Sequence, residues 1–226
     1  MSNHCLICMN QLTISISWRS LFTRPQQQNI CASCRRKLEV IGTDVCRKCG
    51  RPQEINDEIC PDCERWTKSE SDYLAKNIAC FTYNEFAKDL MALYKYRGDY
   101  AIAGVFSGEL IKRWSYVAKE VTIPLPISAE RRAERGFNQT EGLLKLANIP
   151  FTTQLKREHT EKQSKKTRRE RIDQEQYFFV EERGTVASKE VLLIDDIYTT
   201  GATLHLAAEA LMKSGAKSVS SITIFR

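Results

Sequence analysis

The chain has 226 residues, of which 42% are hydrophobic and 27% are charged. These proportions are ordinary for a globular protein and exclude a disordered or collagen-like chain. Uncharged apolar runs such as Val191–Ile194 fall far short of the ~20 residues that a membrane-spanning helix needs. The first eight residues also lack a basic segment followed by an apolar one, which a secretory signal would require. We therefore expect a cytoplasmic protein.

Nine cysteines lie in the first 80 residues, and eight of them form four Cys-x-x-Cys pairs. In a reducing compartment such pairs indicate thiolate ligands of a metal rather than disulfides. The spacing predicts two structural zinc sites of four ligands each, with either sequential or cross-braced pairing. We interpret the ninth cysteine, Cys80, as a small buried hydrophobic side chain. The predicted zinc ligands are Cys5, Cys8, Cys31, Cys34, Cys46, Cys49, Cys60 and Cys63.

The formal net charge of +6 overstates how basic the folded protein is. Two Zn²⁺ ions held by eight thiolates add four positive and eight negative charges, which lowers +6 to +2. Binding to nucleic acid must therefore depend on local basic patches. The strongest patch is 156–171, which has eight basic and three acidic residues.

Composition divides the chain into two predicted domains at about residue 66. Residues 1–66 are rich in cysteine and poor in apolar runs, so a structural metal must supply the stability that a small core lacks. We assign to 1–66 a double zinc-ribbon-like domain in which four cysteines bind each metal ion. Residues 67–226 predict an α/β domain, with 67–79 as a linker or first helix.

Apolar runs and helical spacing alternate along the second domain, which is typical of βαβ units and a mostly parallel sheet flanked by helices. Helical spacing predicts helices over 84–97, 100–117, 138–147 and 203–214. Short apolar or extended runs predict strands over 121–127, 151–156, 177–180, 191–194 and 218–225. An Arg-rich loop is expected after the first of these strands. A mobile loop is expected over the highly charged residues 156–176.

Residues 191–203 carry the most informative pattern. A buried strand delivers Asp195 and Asp196 to its carboxyl end, which is where ligands bind in open α/β sheets. A short loop of hydroxyl residues and Gly201 then leads into a helix, whose N-terminal N–H groups suit a phosphate. Because two carboxylates would repel a phosphate in direct contact, we expect them to face neutral hydroxyls or a metal. The pattern predicts a sugar-phosphate site.

These residues resemble the 13-residue phosphoribosyl-pyrophosphate (PRPP) motif of type I phosphoribosyltransferases. The resemblance implies that Asp195 and Asp196 bind the ribose hydroxyls, and that Mg²⁺ accompanies PRPP. It implies that the 5′-phosphate is cradled by Thr199, Thr200, Gly201, Ala202 and Thr203. It also implies a role in binding diphosphate, or DNA, for the basic residues Arg131, Arg132, Arg135, Lys162, Lys165, Lys166, Arg168 and Arg169.

Nearly the whole chain resembles the ComFC family of late competence proteins, within the wider ComF/GntX family. The resemblance covers the Cys-x-x-Cys module, Pro124–Pro126, Arg135–Gln139, Glu161–Lys165 and the PRPP motif. It implies a role in natural transformation, in which the protein handles incoming single-stranded DNA with a ComFA-type helicase-like ATPase. The fold that it implies is type I phosphoribosyltransferase-like.

Three functions are compatible with the sequence. The first is a competence protein that binds single-stranded DNA and a helicase partner and uses the pocket as a regulatory or DNA-phosphate site. The second is an active Mg²⁺-dependent phosphoribosyltransferase with an unknown acceptor, and the third is an adaptor whose zinc module docks the ATPase. The sequence contains no recognisable nucleobase-binding hood, which favours the first. We interpret His4, His159 and His205 as incidental.

Overall fold

A computed structural model describes residues 4–12, 29–54, 58–96, 99–159 and 176–226. The helices in chain order are α1 Ala32–Lys37, α2 Pro61–Thr67, α3 Glu85–Tyr96, α4 Ala103–Tyr116, α5 Ala129–Arg135, α6 Gln139–Leu146 and α7 Ala202–Lys213. The strands are β1 Asn77–Phe81, β2 Val121–Pro124, β3 Leu155–His159, β4 Gln176–Val180, β5 Glu190–Ile197 and β6 Ser218–Phe225. Within the described ranges no helix is long and apolar enough to cross a bilayer.

Four strands form a parallel sheet in the order β1-β6-β5-β2, which confirms the predicted mostly parallel architecture. The central strand β5 has neighbours on both sides, and its residues Val191–Ile194 are fully covered. A strand that is buried on both faces reads as a continuous apolar run rather than an alternating one. The carboxyl end of β5 therefore lies between the carboxyl ends of β6 and β2, at one edge of the sheet.

The strands β3 and β4 pair antiparallel with each other, as a separate hairpin outside the main sheet. The expected strand over 151–156 and the expected loop over 156–176 are both wrong at this point, because the strand runs over Leu155–His159. Ladder hydrogen bonds join main-chain groups, so a charged segment forms a strand when an apolar partner such as β4 is available. Residues 160–175, the rest of the expected loop, lie outside the described residues.

The expected Arg-rich loop after β2 is also wrong, because residues Ala129–Arg135 form the helix α5. The Ser128 hydroxyl caps its N-terminus by accepting a hydrogen bond from the N–H of Arg131. Gly136, at φ +76°, ends the helix in the left-handed conformation. None of its residues is buried, so α5 has no apolar face from which helical spacing could predict it.

The remaining helices follow the sequence more closely. The predicted helices over 84–97, 100–117, 138–147 and 203–214 correspond to α3, α4, α6 and α7 within three residues at each end. The short helices α1 and α2 were not predicted, and each begins directly after a cysteine of the predicted zinc module, Cys31 or Cys60.

Both halves of the chain contribute to the hydrophobic core. Cys5 and Cys34 pack in one cluster of buried residues with Phe81 and Phe106. Cys46, Cys49, Cys60 and Cys63 pack in a second cluster with residues of β5, β6 and α7. Cys80 is completely buried in the first cluster, as its interpretation as a core side chain requires. The division at residue 66 stays a compositional prediction, since the cysteine module and the sheet share both clusters.

Candidate functional site

The carboxyl end of β5 presents the two acidic residues of the motif at the sheet edge. Asp195 lies opposite Thr223 of β6, and its carboxylate accepts a hydrogen bond from the N–H of Asp196 at 2.8 Å. Because successive side chains of a strand point to opposite faces, the two carboxylates leave the edge in different directions. The two acids can therefore contact different parts of one ligand.

The two carboxylates have different electrostatic environments. The Asp196 carboxylate forms an ion pair with the Lys95 ammonium group at the end of α3, with Oδ2 and Nζ 2.7 Å apart. Burial raises the pKa of Asp195 to about 8, and the negative charge of Asp196 adds to this effect. Asp195 is thus harder to ionise than an ordinary carboxyl group, while the charge of Asp196 is compensated by a cation.

The β5–α7 loop (residues 198–201) connects the acids to the N-terminus of α7. Gly201 adopts a left-handed conformation with φ +85°, and a Cβ at this position would collide with the Tyr198 ring. Glycine therefore fits this position on two grounds. Thr199 and Thr200 are exposed beside it. The predicted residues Asp195, Thr199, Gly201 and Thr203 line one small depression at this end of the sheet.

Basic side chains of α5 and β3 lie near the acids. Arg131 and Arg132 are exposed on α5, and Arg132 pairs with Glu141 at 2.6 Å. Arg135 donates to the side-chain oxygen of Gln139 at 3.0 Å. Burial lowers the pKa of Arg157 in β3, and the charge of Arg131 lowers it further while the charge of Asp195 opposes them. The two arginines and the acid therefore lie within electrostatic reach of one another.

Five of the predicted basic residues belong to the segment between β3 and β4. They lie outside the described residues, and their role in binding diphosphate or DNA stays a prediction. They are Lys162, Lys165, Lys166, Arg168 and Arg169.

The eight predicted zinc ligands form two groups. The first cysteine cluster comprises Cys5, Cys8, Cys31 and Cys34, and the second cysteine cluster comprises Cys46, Cys49, Cys60 and Cys63. The pairing is therefore sequential rather than cross-braced. In each cluster all sulfur atoms lie within 4.8 Å of one another.

The sulfur spacing fits tetrahedral zinc. With Zn–S bonds of ~2.3 Å, the sulfur atoms of a tetrahedral site lie about 3.8 Å apart. The observed distances are 3.7 Å between the sulfur atoms of Cys8 and Cys31, and 3.7 Å between those of Cys49 and Cys60. The donor sets therefore suit two structural zinc ions, which would link segments that are distant in sequence.

Two family models match the chain. The "Phosphoribosyl transferase domain" matches residues 115–226, and the "Double zinc ribbon domain" matches residues 2–64. The chain is 40% identical to the competence protein ComFC of Bacillus subtilis (strain 168), over 98% of this chain and 94% of that protein. It is 34% identical to the competence protein ComFC of Streptococcus pneumoniae (strain R6), over 98% of this chain and 99% of that protein. The chain belongs to the ComFC family.

Solved phosphoribosyltransferases resemble part of this ComFC family member. The APRTase of Giardia lamblia is 17% identical, with 62% of this chain and 71% of that chain covered and a TM-score of 0.37. The glutamine PRPP amidotransferase of B. subtilis is 21% identical, with 53% and 26% covered and a TM-score of 0.36. The predicted type I phosphoribosyltransferase-like fold with a zinc-ribbon module is confirmed by the two domain matches.

The structure places four side chains at the site that the sequence analysis did not assign to it. Lys95 pairs with Asp196. The half-buried Arg157 lies near Asp195, and its buried Nε lacks a hydrogen-bond partner among the described residues. Trp66 and Arg226 contact the β5–α7 loop, the first from the zinc module and the second from the end of β6. Each is far in sequence from the motif, so no local spacing signals its position.

A larger cleft of about 360 Å³ lies between β4 and α7. Phe178, Leu206 and Glu209 line it, and its walls share no residue with the β5–α7 loop. His205, on the neighbouring turn of α7, is buried against Trp66, and burial lowers its pKa. That this histidine is incidental to the chemistry stays a prediction.

Proposed function

We propose that this ComFC family member acts in natural transformation, where it handles incoming single-stranded DNA together with a ComFA-type helicase-like ATPase and carries a pocket for a PRPP-type sugar phosphate. Its two relatives are competence proteins, which supports a role in competence. The observation that carries the pocket is the combination of Asp195 and Asp196 with the β5–α7 loop and the N-terminus of α7 at one sheet edge.

The chemistry of this edge matches the two ends of a 5-phosphoribosyl group. The loop and the first turn of α7 offer main-chain N–H groups, threonine hydroxyls and the positive end of the helix dipole, all of which favour a phosphate. The carboxylates instead accept hydrogen bonds from vicinal hydroxyls, each worth ~1.5–3 kcal/mol. Mg²⁺, if it accompanies the ligand, would supply positive charge for a diphosphate.

Single-stranded DNA offers similar groups, a sugar and a phosphate, along its backbone. Arg131 on the exposed surface of α5 and the half-buried Arg157 place positive charge beside the acidic edge. Such charge attracts phosphates without regard to sequence and is weakened by salt. This supports the proposal that the pocket serves as a regulatory site or holds a DNA phosphate.

Calorimetric titration with PRPP, with and without Mg²⁺ and single-stranded DNA, tests the pocket. Replacing both acids in Asp195→Asn/Asp196→Asn should weaken PRPP binding by roughly 3–5 kcal/mol, allowing for incomplete additivity. At ~1.4 kcal/mol per decade this loss is at least a hundredfold. The Thr200→Ala/Thr203→Ala variant should lose less, because main-chain N–H groups remain. Tight binding that survives removal of both acids would contradict the proposal.

The same titration separates the alternatives. Release of pyrophosphate from PRPP in the presence of a nucleobase or amine would identify an active transferase. PRPP binding without release, together with an effect of PRPP on DNA affinity, would support the regulatory or DNA-phosphate role. A wild-type protein that binds no PRPP but still binds the ATPase would indicate an adaptor.

A further inference from the structure

Three consecutive carbonyl groups in the β5–α7 loop are held by side chains from other parts of the chain. The Arg226 guanidinium donates through Nη1 to the carbonyls of Tyr198 at 3.2 Å and Thr199 at 2.9 Å. The indole Nε1 of Trp66 donates to the carbonyl of Thr200 at 2.9 Å. The loop thus receives three hydrogen bonds on one side.

These contacts determine where the main-chain N–H groups of the loop point. In a trans peptide unit the carbonyl of one residue and the N–H of the next point in opposite directions. Holding the carbonyls of residues 198–200 therefore turns the N–H groups of Thr199, Thr200 and Gly201 to the other side. Among the described residues none of these three N–H groups donates a hydrogen bond. They are available to an anion.

Both supporting side chains are connected to the second cysteine cluster, Trp66 through its helix and Arg226 through a hydrogen bond. Trp66 lies in α2, which begins directly after Cys60 and contains Cys63. Its ring stacks on His205 of α7, with ring centroids 3.9 Å apart and planes 5° from parallel. Arg226 contacts the Cys49 sulfur at 3.4 Å through Nη2, and its guanidinium lies 4.7 Å from the centre of the Tyr198 ring.

We propose that the second cysteine cluster, when it binds metal, positions the β5–α7 loop for anion binding through Trp66 and Arg226. Metal would fix Cys60 and Cys63, and so the start and direction of α2. It would also fix Cys49, whose sulfur accepts a hydrogen bond from Nη2 of Arg226. Nη1 of the same guanidinium donates to the carbonyls of Tyr198 and Thr199. A side chain that hydrogen-bonds to a metal ligand commonly changes the affinity of the site for the metal. Here the same side chain also contacts the β5–α7 loop, so the metal site and the loop are connected through it.

The first cysteine cluster serves as an internal comparison. Its buried members pack with Phe81 and Phe106, and none of its contacts among the described residues reaches the β5–α7 loop.

The proposal rests on the proposed function in that the anion is taken to be the phosphate of a 5-phosphoribosyl ligand. The support of the loop can nevertheless be measured without that ligand.

The central test removes one hydrogen bond and leaves the packing in place. Trp66→Phe keeps an aromatic ring against His205 but has no N–H for the Thr200 carbonyl. We expect PRPP affinity to fall about three- to tenfold, as for loss of one hydrogen bond, with both zinc ions retained in elemental analysis. The matched control is Trp114→Phe, because the half-buried Trp114 donates a bond of similar length, 3.0 Å, to Thr122 elsewhere in the fold.

NMR order parameters of the backbone N–H groups give a second measurement that does not depend on the ligand. The order parameters of Thr199, Thr200 and Gly201 should be lower in Trp66→Phe and in Arg226→Lys than in the wild type, and unchanged in Trp114→Phe. Lysine keeps the positive charge of Arg226 but cannot hold two carbonyls and a sulfur with a planar fork.

A pair of ligand variants tests which cluster is responsible. Cys63→Ser should lose the second zinc and weaken PRPP binding at least tenfold, whereas Cys8→Ser should lose the first zinc with less than a twofold change. Equal weakening by Cys8→Ser, or wild-type affinity and order parameters in Trp66→Phe and Arg226→Lys, would overturn the inference. If the wild type binds no PRPP, the proposed function fails, while lower order parameters of the loop in Trp66→Phe would still support the positioning role.

Discussion

At the scale of single residues, the two adjacent acids show how a site can cost stability. Asp196 is compensated by the Lys95 ammonium group at 2.7 Å. Asp195 is half-buried next to that charged pair, and the loss of solvent around its carboxyl group raises its pKa to about 8. A carboxyl group in this position is unfavourable for folding when it is ionised, and binding sites commonly retain such residues at the expense of stability.

Asp195→Asn should therefore increase the free energy of unfolding while it weakens PRPP binding. The unfolded pKa is ~3.9 and the folded value is about 8, so the unfolded chain loses this proton first as pH rises. The wild type then loses stability between about pH 4 and pH 8, by at most ~1.4 kcal/mol per pH unit, with no further change above pH 8. Asparagine removes this loss and still accepts the hydrogen bond from the N–H of Asp196.

Urea unfolding of zinc-loaded protein between pH 5.5 and pH 9 measures the effect. The stability advantage of Asp195→Asn should grow up to pH 8 and reach at least about 1 kcal/mol there. The exposed Asp89 of α3 provides a control for the loss of one carboxylate, as Asp89→Asn. An Asp195→Asn variant that is less stable than the wild type at pH 8 would show that burial of this acid costs nothing.

At the scale of elements, the basic surface depends on α5 and on the segment between β3 and β4. The helix α5 is short and has no buried residue, so its Ser128 cap and its Gly136 terminus stabilise it more than packing does. It carries Arg131 and Arg132 near the end of β2, where the parallel sheet opens. The element therefore adds charge to the sheet edge without contributing to the core.

Neutralising these charges should change the salt dependence of single-strand binding. For single strands the slope of log K against log salt is about −0.7 for each phosphate contact. Replacing Lys165, Lys166, Arg168 and Arg169 by glutamine should therefore reduce the slope by about 3. Arg131→Gln/Arg132→Gln should reduce it by about 1.4. Fluorescence anisotropy with labelled oligonucleotides over a salt series measures both.

The control for these variants removes charge at a distance from the pocket. Lys88→Gln/Lys112→Gln changes two exposed lysines of α3 and α4. We expect its slope and affinity to match the wild type. If the fourfold variant keeps the wild-type slope, the segment between β3 and β4 is not the DNA-binding surface.

At the scale of the whole molecule, the two cysteine clusters differ in how deeply they lie in the fold. All four members of the second cluster are buried, together with residues of β5, β6 and α7. In the first cluster Cys8 is exposed and Cys31 is half-buried. The second metal would therefore be shielded by the domain that it supports, and the first would be open to solvent on one side.

The purified, reduced protein should contain two zinc ions per chain and should release them in two phases. A chelator should remove the ion of the first cluster rapidly, because Cys8 is accessible, and the other slowly. Absorbance of a coloured chelator complex follows the release, and elemental analysis gives the total. Cys8→Ser should retain only the slow phase. A single phase in the wild type, or fewer than two ions, would refute this arrangement.

The sequence by itself determined the features that depend on local spacing. The alternation of apolar runs and helical faces predicted α3, α4, α6 and α7 and the strands β2, β5 and β6 of the parallel sheet, but not its edge strand β1. The four Cys-x-x-Cys pairs predicted two sets of four cysteine ligands, and residues 191–203 predicted acids and a loop at the end of a strand. These predictions succeeded because periodicity, turn residues and ligand spacing act within about twenty residues of one another.

Only the tertiary structure decided which distant residues meet. It selected sequential over cross-braced pairing of the cysteines. The ion pair of Lys95 with Asp196 and the contacts of Trp66 and Arg226 with the β5–α7 loop join positions that are 27 to 134 residues apart. Such contacts depend on strand order and on the packing of α2 against α7, which no local pattern encodes. The helix α5 escaped prediction for a different reason, since a helix with no buried residue carries no apolar periodicity.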